Sequence, residues 1–131
     1  MVNPAKALGR LLLGSLFVTG GLNQLKDPTY GAAKTDELKE RYGLAGLPES
    51  SALVKANGAA MIAGGVTLAL SIKPRTSAAV LAALLQPTTL AGHAFWTIDD
   101  PQRAFAERNN FFANLAVTGG LLIAAADSKK K

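Results

Sequence analysis

Four stretches of the chain contain no Asp, Glu, Lys or Arg, and apolar residues fill them instead of alternating with polar ones. A helix on the surface of a soluble protein carries a polar face, whereas a membrane-spanning helix needs about 20 mostly apolar residues. The charge-free stretches are 11–25, 56–72, 76–98 and 109–126. They predict an all-α transmembrane four-helix bundle whose spans lie at about 5–25, 51–72, 77–96 and 109–126.

The loop between the first two spans, 26–50, contains a further helical signal. Thr35 is a residue that can cap a helix, and Gly43 is of the type that commonly ends one, so the interval between them predicts a two-turn helix. Its apolar side chains Leu38 and Tyr42 share one face. Two interpretations stay open: a short interfacial helix resting on lipid headgroups, or a lid over the outer mouth of the bundle.

Other residues mark the ends and the middle of the later spans. Thr76 or Ser77 is expected to cap the third helix, and Pro87 is expected to kink it, with a hydroxyl such as that of Thr88 satisfying the freed carbonyl. The pair Asp100-Pro101 predicts a cap followed by a first-turn proline. It should open a long fourth helix that starts outside the membrane.

The amino-acid composition excludes several kinds of chemistry and adds little to the prediction of the fold. The 131 residues are 49% hydrophobic and 18% charged, with a mean hydropathy of +0.21. The absence of cysteine excludes a thiol nucleophile, an iron–sulfur site and a disulfide within the chain. The net charge of +5 is no reason to expect nucleic-acid binding, because a basic balance in a polytopic protein is first an orientation signal.

The basic residues distinguish the two sides of the membrane. On the predicted topology one side carries seven bases against the single acid Asp127, and the other carries seven bases against eight acids. Cytoplasmic loops and tails carry an excess of Lys and Arg, so both termini are predicted to be cytoplasmic. The bases on that side lie in a short loop and two tails: Lys6, Arg10, Lys73, Arg75 and Lys129–Lys131.

Small residues recur within the spans, where they let helix backbones approach each other. The second span repeats them at every fourth position: Ala52, Ala56, Ala60 and Gly64. Such stripes predict a compact bundle without a wide pore. They would serve contacts within the chain, a homo-oligomer or a larger complex equally well.

The candidate polar side chains within the spans all fall, on this topology, in the outer third of the bundle. Polar groups in hydrocarbon are costly unless they face the interior and find partners, so they form a candidate ligand-binding site. Amide and imidazole donors beside aromatic rings suit the oxygens of a quinone or a lipid headgroup. The alternative is that they only bond each other and hold the helices in register. The candidate residues are His93, Asn114, Asn57, Asn110, Gln24 and Trp96.

No catalytic or metal-binding set is predicted among these residues. His93 is the only histidine, which excludes a bis-histidine haem within the chain, and one histidine among loop acids is not a metal-ligand pattern. No acid lies within a span to form a proton relay with His93, which disfavours a proton-coupled transporter. No covalently bound cofactor is therefore expected, and a quinone is the one cofactor considered.

The ordered motifs of the chain resemble those of the DoxX family of small four-helix bacterial membrane proteins. They are Gly20-Gly21-Leu22 before Lys26-Asp27-Pro28, Gly64-Gly65 with Leu68 and Leu70, Pro74-Arg75 with Ala78-Ala79, His93-Ala94-Phe95-Trp96, Phe112-Ala113-Asn114-Leu115-Ala116, and Gly119-Gly120-Leu121-Leu122. The resemblance covers nearly the whole chain, which implies a single DoxX-like transmembrane domain over 1–131.

The resemblance also implies a function. The family is linked to quinone-coupled oxidation of thiosulfate and to oxidoreductase complexes of the plasma membrane with soluble redox partners, and His93 and Asn114 match family motifs. Many members carry a lysine where Gln24 falls and a glutamate near Met61. Because this chain lacks both, we expect no independent activity; any activity would be that of a quinone-linked oxidoreductase subunit.

Three hypotheses for the function follow. The first is a subunit of a membrane-associated, quinone-linked redox complex in the bacterial plasma membrane. The second is a non-catalytic accessory subunit that packs on a larger respiratory or envelope complex. The third, a lipid or solute carrier, is disfavoured because no charge is expected in the interior of the bundle. The expected partners are membrane lipids and a protein of the same complex, a homo-oligomer is compatible with the stripes, and no nucleic acid is expected.

Overall fold

This computed structural model describes residues 3–127, and every regular element in that range is helical. The all-α prediction is therefore confirmed. Five α-helices and one 3₁₀ turn follow in order: α1 Pro4–Lys26, α2 Pro28–Tyr42, α3 Ser50–Ala69, α4 Pro74–Gly92, the 3₁₀ turn Phe95–Thr97, and α5 Pro101–Ala125.

Three of these segments are long and apolar enough to cross a membrane: Pro4–Lys26, Ser50–Ala69 and Pro74–Thr97. Large apolar side chains project from their outer surfaces, and Leu12 and Val80 are 61% and 46% exposed. A helix in water would turn such side chains toward the core, whereas lipid tails solvate them. The chain is therefore a membrane protein. The fourth expected span lies in α5, which is not among the three segments and carries several charges in its first two turns.

The helix of the first loop begins earlier than the sequence analysis predicts. It is α2, which has 15 residues and starts at Pro28, with Asp27 as its cap and the Thr29 amide bonded to the Asp27 carboxylate. The capping role given to Thr35 is wrong, because its hydroxyl lies inside the helix and donates to the Gly31 carbonyl at 2.8 Å.

The end of α2 is where the sequence analysis predicts it. Gly43 closes the helix in the left-handed conformation, with φ of 66°, which glycine adopts without a Cβ penalty. The helix packs against α3 and α4, and it has no fully buried residue of its own. It therefore covers one end of the α3–α4 pair from the outside.

The closest helix pair is α1 with α3, which run antiparallel and meet at two pairs of glycines. A Cβ added to Gly14 would lie 2.4 Å from the Gly65 carbonyl oxygen, and one added to Gly21 would lie 2.5 Å from that of Gly58. Both distances are far below ordinary van der Waals contact, so no larger residue fits at this spacing. The glycines lie seven residues apart on each helix, which returns them to the same face.

The expected small-residue stripe of the second span contributes little to this contact. Ala52 and Ala56 are exposed, and Gly64 packs against the side chain of Leu81 on α4. The core lies where α3 meets α1 and α4, with one residue from α5. Its buried apolar members are Phe17, Met61, Leu68, Ala78, Leu81, Ala82, Leu85 and Leu121.

The third span also differs at its start. The helix α4 begins at Pro74 behind Lys73, whose φ is 43° and whose side chain makes no capping bond. The capping role expected of Thr76 or Ser77 is therefore wrong. The Ser77 hydroxyl is 3.3 Å from the Ile72 carbonyl instead, and it closes the turn between α3 and α4.

Candidate functional site

Gln24, Asn57 and Thr88 form the first of three polar groups between the helices. The amide nitrogen Nδ2 of Asn57 donates to Gln24 Oε1 at 3.1 Å and lies 3.0 Å from Thr88 Oγ1. The group ties α3 to both α1 and α4. Its geometry depends on the glycine contact, since a Cβ on Gly58 would lie 2.9 Å from the Cβ of Gln24. Close approach of the backbones thus brings the two amides within hydrogen-bond distance.

The second polar group joins α4 to α5. Asn114 Nδ2 donates to Thr89 Oγ1 at 3.0 Å, and the Thr89 hydroxyl, 3% exposed, donates to the Leu85 carbonyl at 2.8 Å. One turn away, Gln86 Nε2 lies 3.1 Å from Thr118 Oγ1, whose hydroxyl donates to the Asn114 carbonyl. These bonds satisfy the buried hydroxyl and join two facing turns of the helices.

The third polar group contains the carboxylate of Glu107, which is not among the six residues predicted from the sequence. Glu107 Oε1 lies 3.3 Å from His93 Nδ1 and accepts a hydrogen bond from Asn110 Nδ2 at 2.9 Å. Both side chains of the His93–Glu107 pair are mostly buried, at 28% and 19% exposed. The spacing could have identified the carboxylate, because Glu107 precedes Asn110 and Asn114 by three and seven residues and so shares their helix face.

Trp96 belongs to an aromatic group at the edge of the bundle. Its ring packs edge to face on Phe95 and Phe111, with centroids 5.3 and 5.6 Å apart, and Phe112 packs edge to face on Phe111 at 5.5 Å. Such arrangements bring the positive ring edge onto the negative face of the neighbour. Trp96 remains 48% exposed, so it faces the surroundings of the protein.

The six candidate residues therefore do not surround one common space. Gln24 and Asn57 share one group, Asn114 belongs to the second, and His93 and Asn110 belong to the third. Their role in ligand binding stays a prediction.

None of the six residues lines either of two cavities within the described part of the chain. The smaller, of about 20 Å³, lies between α2 and the end of α4 and is lined in part by Lys34, Glu37 and Glu107. The larger, of about 230 Å³, is an open groove between the 3₁₀ turn and the start of α5. Within residues 3–127 there is no group of three or more His, Asp or Glu side chains placed to hold a metal ion.

Charged side chains meet at the opposite end of the bundle. Asp127 accepts a hydrogen bond from Lys6 at 2.8 Å and from Arg10 at 3.2 Å, and Arg10 also lies 3.3 Å from the Ser71 hydroxyl. The Arg10 side chain is only 16% exposed, and its charge is compensated although it lies inside α1. The group links α1 with the end of α5 and with the turn after α3.

Membrane-crossing helices with apolar outer surfaces and polar bonds between them define a small polytopic membrane protein. The DoxX family model matches residues 5–94, which is more than half of the chain. The chain therefore belongs to the DoxX family, and the resemblance inferred from its motifs is confirmed. The matched region contains Gln24, Asn57 and His93 and ends before α5. No curated protein and no solved structure matches the chain.

Proposed function

We propose that this DoxX-family protein is a non-catalytic membrane subunit of a redox complex, in which it acts as a helical scaffold for a partner. The observation that carries the proposal is the bonding of the intramembrane polar side chains to one another. The Asn57 and Asn114 amides each reach across to a neighbouring helix at 3.0 to 3.1 Å. Polar groups used in this way join helices and are not held open for a substrate.

The proposal includes a fourth membrane span in α5. Beyond Arg108 this helix has no charged residue, and it exposes large apolar side chains along its length: Phe112, Leu115, Leu122 and Ile123. A fourth span returns the chain to its starting side. The basic residues of α1 and of the turn before α4 then favour cytoplasmic termini in the plasma membrane, with α2 at the outer interface. Lys129–Lys131 support the same orientation by sequence alone and lie outside the described residues.

A partner test separates the scaffold from an isolated protein. The tagged chain is purified from its native membranes in a mild detergent, and the co-purifying proteins are quantified. We expect a stoichiometric partner that carries redox cofactors. A monomer or homodimer without such a partner, obtained after chemical cross-linking in the intact membrane, would contradict the proposal.

A second test separates a scaffolding role of the polar groups from a ligand-binding one. His93→Gln and Asn114→Leu are compared with the exposed-site control Gln102→Ala. The scaffold proposal expects both variants to lower the unfolding temperature of the subunit, with unchanged turnover for each assembled complex. Unchanged stability with abolished turnover would assign the residues to a ligand site instead.

Quinone binding is the second candidate function, and the exposed Trp96 ring in its aromatic group is the observation that favours it. A planar quinone ring would stack on such a surface, and His93 lies three residues before Trp96 along the chain. Mass spectrometry of the lipids that co-purify with the protein tests this candidate. We expect a quinone that is retained by the unaltered chain and lost in Trp96→Ala; its absence from the unaltered chain would remove the quinone link.

A further inference from the structure

The open groove at the start of α5 has one apolar wall and one charged end. It is lined by Phe95 of the 3₁₀ turn and by Pro101, Ala104, Phe105 and Arg108 of α5, and it holds about 230 Å³. The four α5 residues follow each other at intervals of three, one and three, so they occupy a single face of the helix. We refer to this surface as the α5 groove.

Arg108 supplies the only charge among the residues that line the α5 groove. Its guanidinium lies over the Phe105 ring, 5.3 Å from the centroid, and no carboxylate of residues 3–127 lies within 4.0 Å of it. The neighbouring carboxylate of Glu107 is held by His93 and Asn110 on another face of the helix. The groove therefore presents an uncompensated positive charge beside apolar rings.

The position of Arg108 along α5 indicates what kind of anion could reach it. It is the last charged residue before the charge-free stretch 109–126, where the helix changes from polar to apolar surroundings. Below it, the exposed side chains of Phe112 and Leu115 continue the same helix face toward the apolar region. A ligand that fits this surface has an anionic head at the level of Arg108 and a hydrocarbon chain beneath it.

We propose that the α5 groove binds an anionic phospholipid. The planar guanidinium of Arg108 pairs with two oxygens of the lipid phosphodiester, a geometry that a guanidinium offers and an ammonium does not. The acyl chain lies along Phe105 and Phe112, and Phe95 closes the other side of the groove. The site rests on the proposed membrane span in α5, but it does not rest on the scaffold role, because none of its residues belongs to the three polar groups.

Trp96 allows the site to be observed without added labels. It is the only tryptophan of the chain, and its ring lies 5.3 Å from that of Phe95 in the groove. The full chain is reconstituted into phosphatidylcholine vesicles that contain increasing fractions of phosphatidylglycerol, with bromine on the acyl chains of one lipid or the other. Bromine quenches tryptophan fluorescence on contact, so the two series report which lipid occupies the groove.

The matched control for Arg108→Gln is Arg103→Gln. Both arginines are exposed on α5, and only Arg108 lines the groove. We expect brominated phosphatidylglycerol to quench Trp96 better than brominated phosphatidylcholine, with a preference that falls about fivefold in Arg108→Gln, the equivalent of the roughly 1 kcal/mol that one arginine contributes near anionic lipid. Arg103→Gln should change it less than twofold, and Arg108→Lys should restore only part of it.

Three results would overturn the lipid site. One is equal quenching by the two lipids in the unaltered chain, and another is the same loss of preference in Arg103→Gln as in Arg108→Gln. The third is displacement of brominated phosphatidylglycerol by a quinone at low mole fraction, which would assign the groove to that ligand. Circular dichroism of each variant confirms that the helices are intact, so a loss of preference reports the site and not the fold.

Discussion

Replacing Gly14 by alanine should push α1 away from α3. The new Cβ would lie 2.4 Å from the Gly65 carbonyl oxygen and 3.0 Å from the Ala69 Cβ, and both atoms belong to the facing helix. The nearest atom is backbone, so no side-chain rotation relieves the contact. The helices must separate or tilt at this crossing.

The loss of stability can be estimated from how much closer the added Cβ lies to the Gly65 carbonyl oxygen than an ordinary contact allows. Ordinary van der Waals contact begins at 3.4 Å, so the backbones must part by about 1.0 Å at Gly14. A gap of that size forfeits about a quarter to a half of the dispersion energy of the contacts around it. Overpacking a well-packed interior costs about 1–3 kcal/mol. We expect a loss of that order in the free energy of unfolding.

Gly9→Ala is the matched control because Gly9 lies on the same helix and has nothing within 4 Å of its added Cβ. Alanine is favoured over glycine in a helix by about 1 kcal/mol, and both variants gain that term. The difference between them isolates the clash. It is measured by unfolding the purified protein with SDS in mixed micelles, followed by circular dichroism.

The result that would refute this reasoning is a difference below about 0.5 kcal/mol between the two variants, which is the usual scatter for independent sites. The α1–α3 crossing would then be wider than the glycine pairs indicate. Because the chain has no cysteine, a pair of cysteines introduced at this crossing can measure the separation directly by disulfide formation in the membrane.

Three further predictions concern the polar and charged groups. Asn57→Leu should lower the free energy of unfolding by about 0.6–1.7 kcal/mol, from the average to the largest value for interhelical hydrogen bonds in a membrane protein, as measured by the same SDS titration. Arg10→Gln should destabilise the protein more than Lys6→Gln, because their side chains are 16% and 43% exposed, and raising the salt concentration should weaken mainly the Lys6 effect. In intact cells an impermeant maleimide should label Gln102→Cys, and it should label Lys73→Cys only after permeabilisation; the reverse pattern would invert the proposed topology.

Sequence reasoning succeeded where one local signal decides the outcome. The charge-free stretches predict apolar helices, and Asp100-Pro101 and Gly43 mark a helix start and a helix end that the structure confirms. The start of α2 was missed although Asp27-Pro28 carries the same cap-and-proline signal as Asp100-Pro101. Asp27-Pro28 directly follows the first predicted span, and Thr35 competes with Asp27 as a cap because both side chains can accept a hydrogen bond from a helix N-terminus. Local chemistry was sufficient there, and the error lay in the choice between two caps.

The helix contacts could not be predicted in the same way. Small residues recur along α3 both as alanines at every fourth position and as two glycines seven residues apart, and this recurrence does not say which face meets a neighbour. At the α1–α3 crossing the backbones are too close for a Cβ, so Gly58 and Gly65 form the contact while Ala52 and Ala56 remain exposed. The difference between glycine and alanine is one methyl group, and it decides the interface.

The dispersal of the candidate residues has its origin in α4. Successive residues of an α-helix point about 100° apart, so Thr88 and Thr89 face different neighbours. Thr88 meets Asn57 of α3, and Thr89 meets Asn114 of α5. Polar residues that lie at one depth of the membrane therefore form separate interhelical groups on the two sides of α4, and they do not form one pocket.

Pro87 precedes Thr88 and Thr89 directly, and its position supports a scaffold role for the polar groups on the two sides of α4. Proline has no backbone N–H to donate to the carbonyl four positions before it, so α4 is weakened at this point. The first and second polar groups contact α4 at the same level, through Thr88 and Thr89. The Thr88 and Thr89 hydroxyls donate to the Leu84 and Leu85 carbonyls next to that gap, and each also receives an amide from a different helix. The same two side chains thus bond the helix next to the proline to both neighbouring helices, a use of polar residues that leaves few hydrogen-bonding positions open to a ligand.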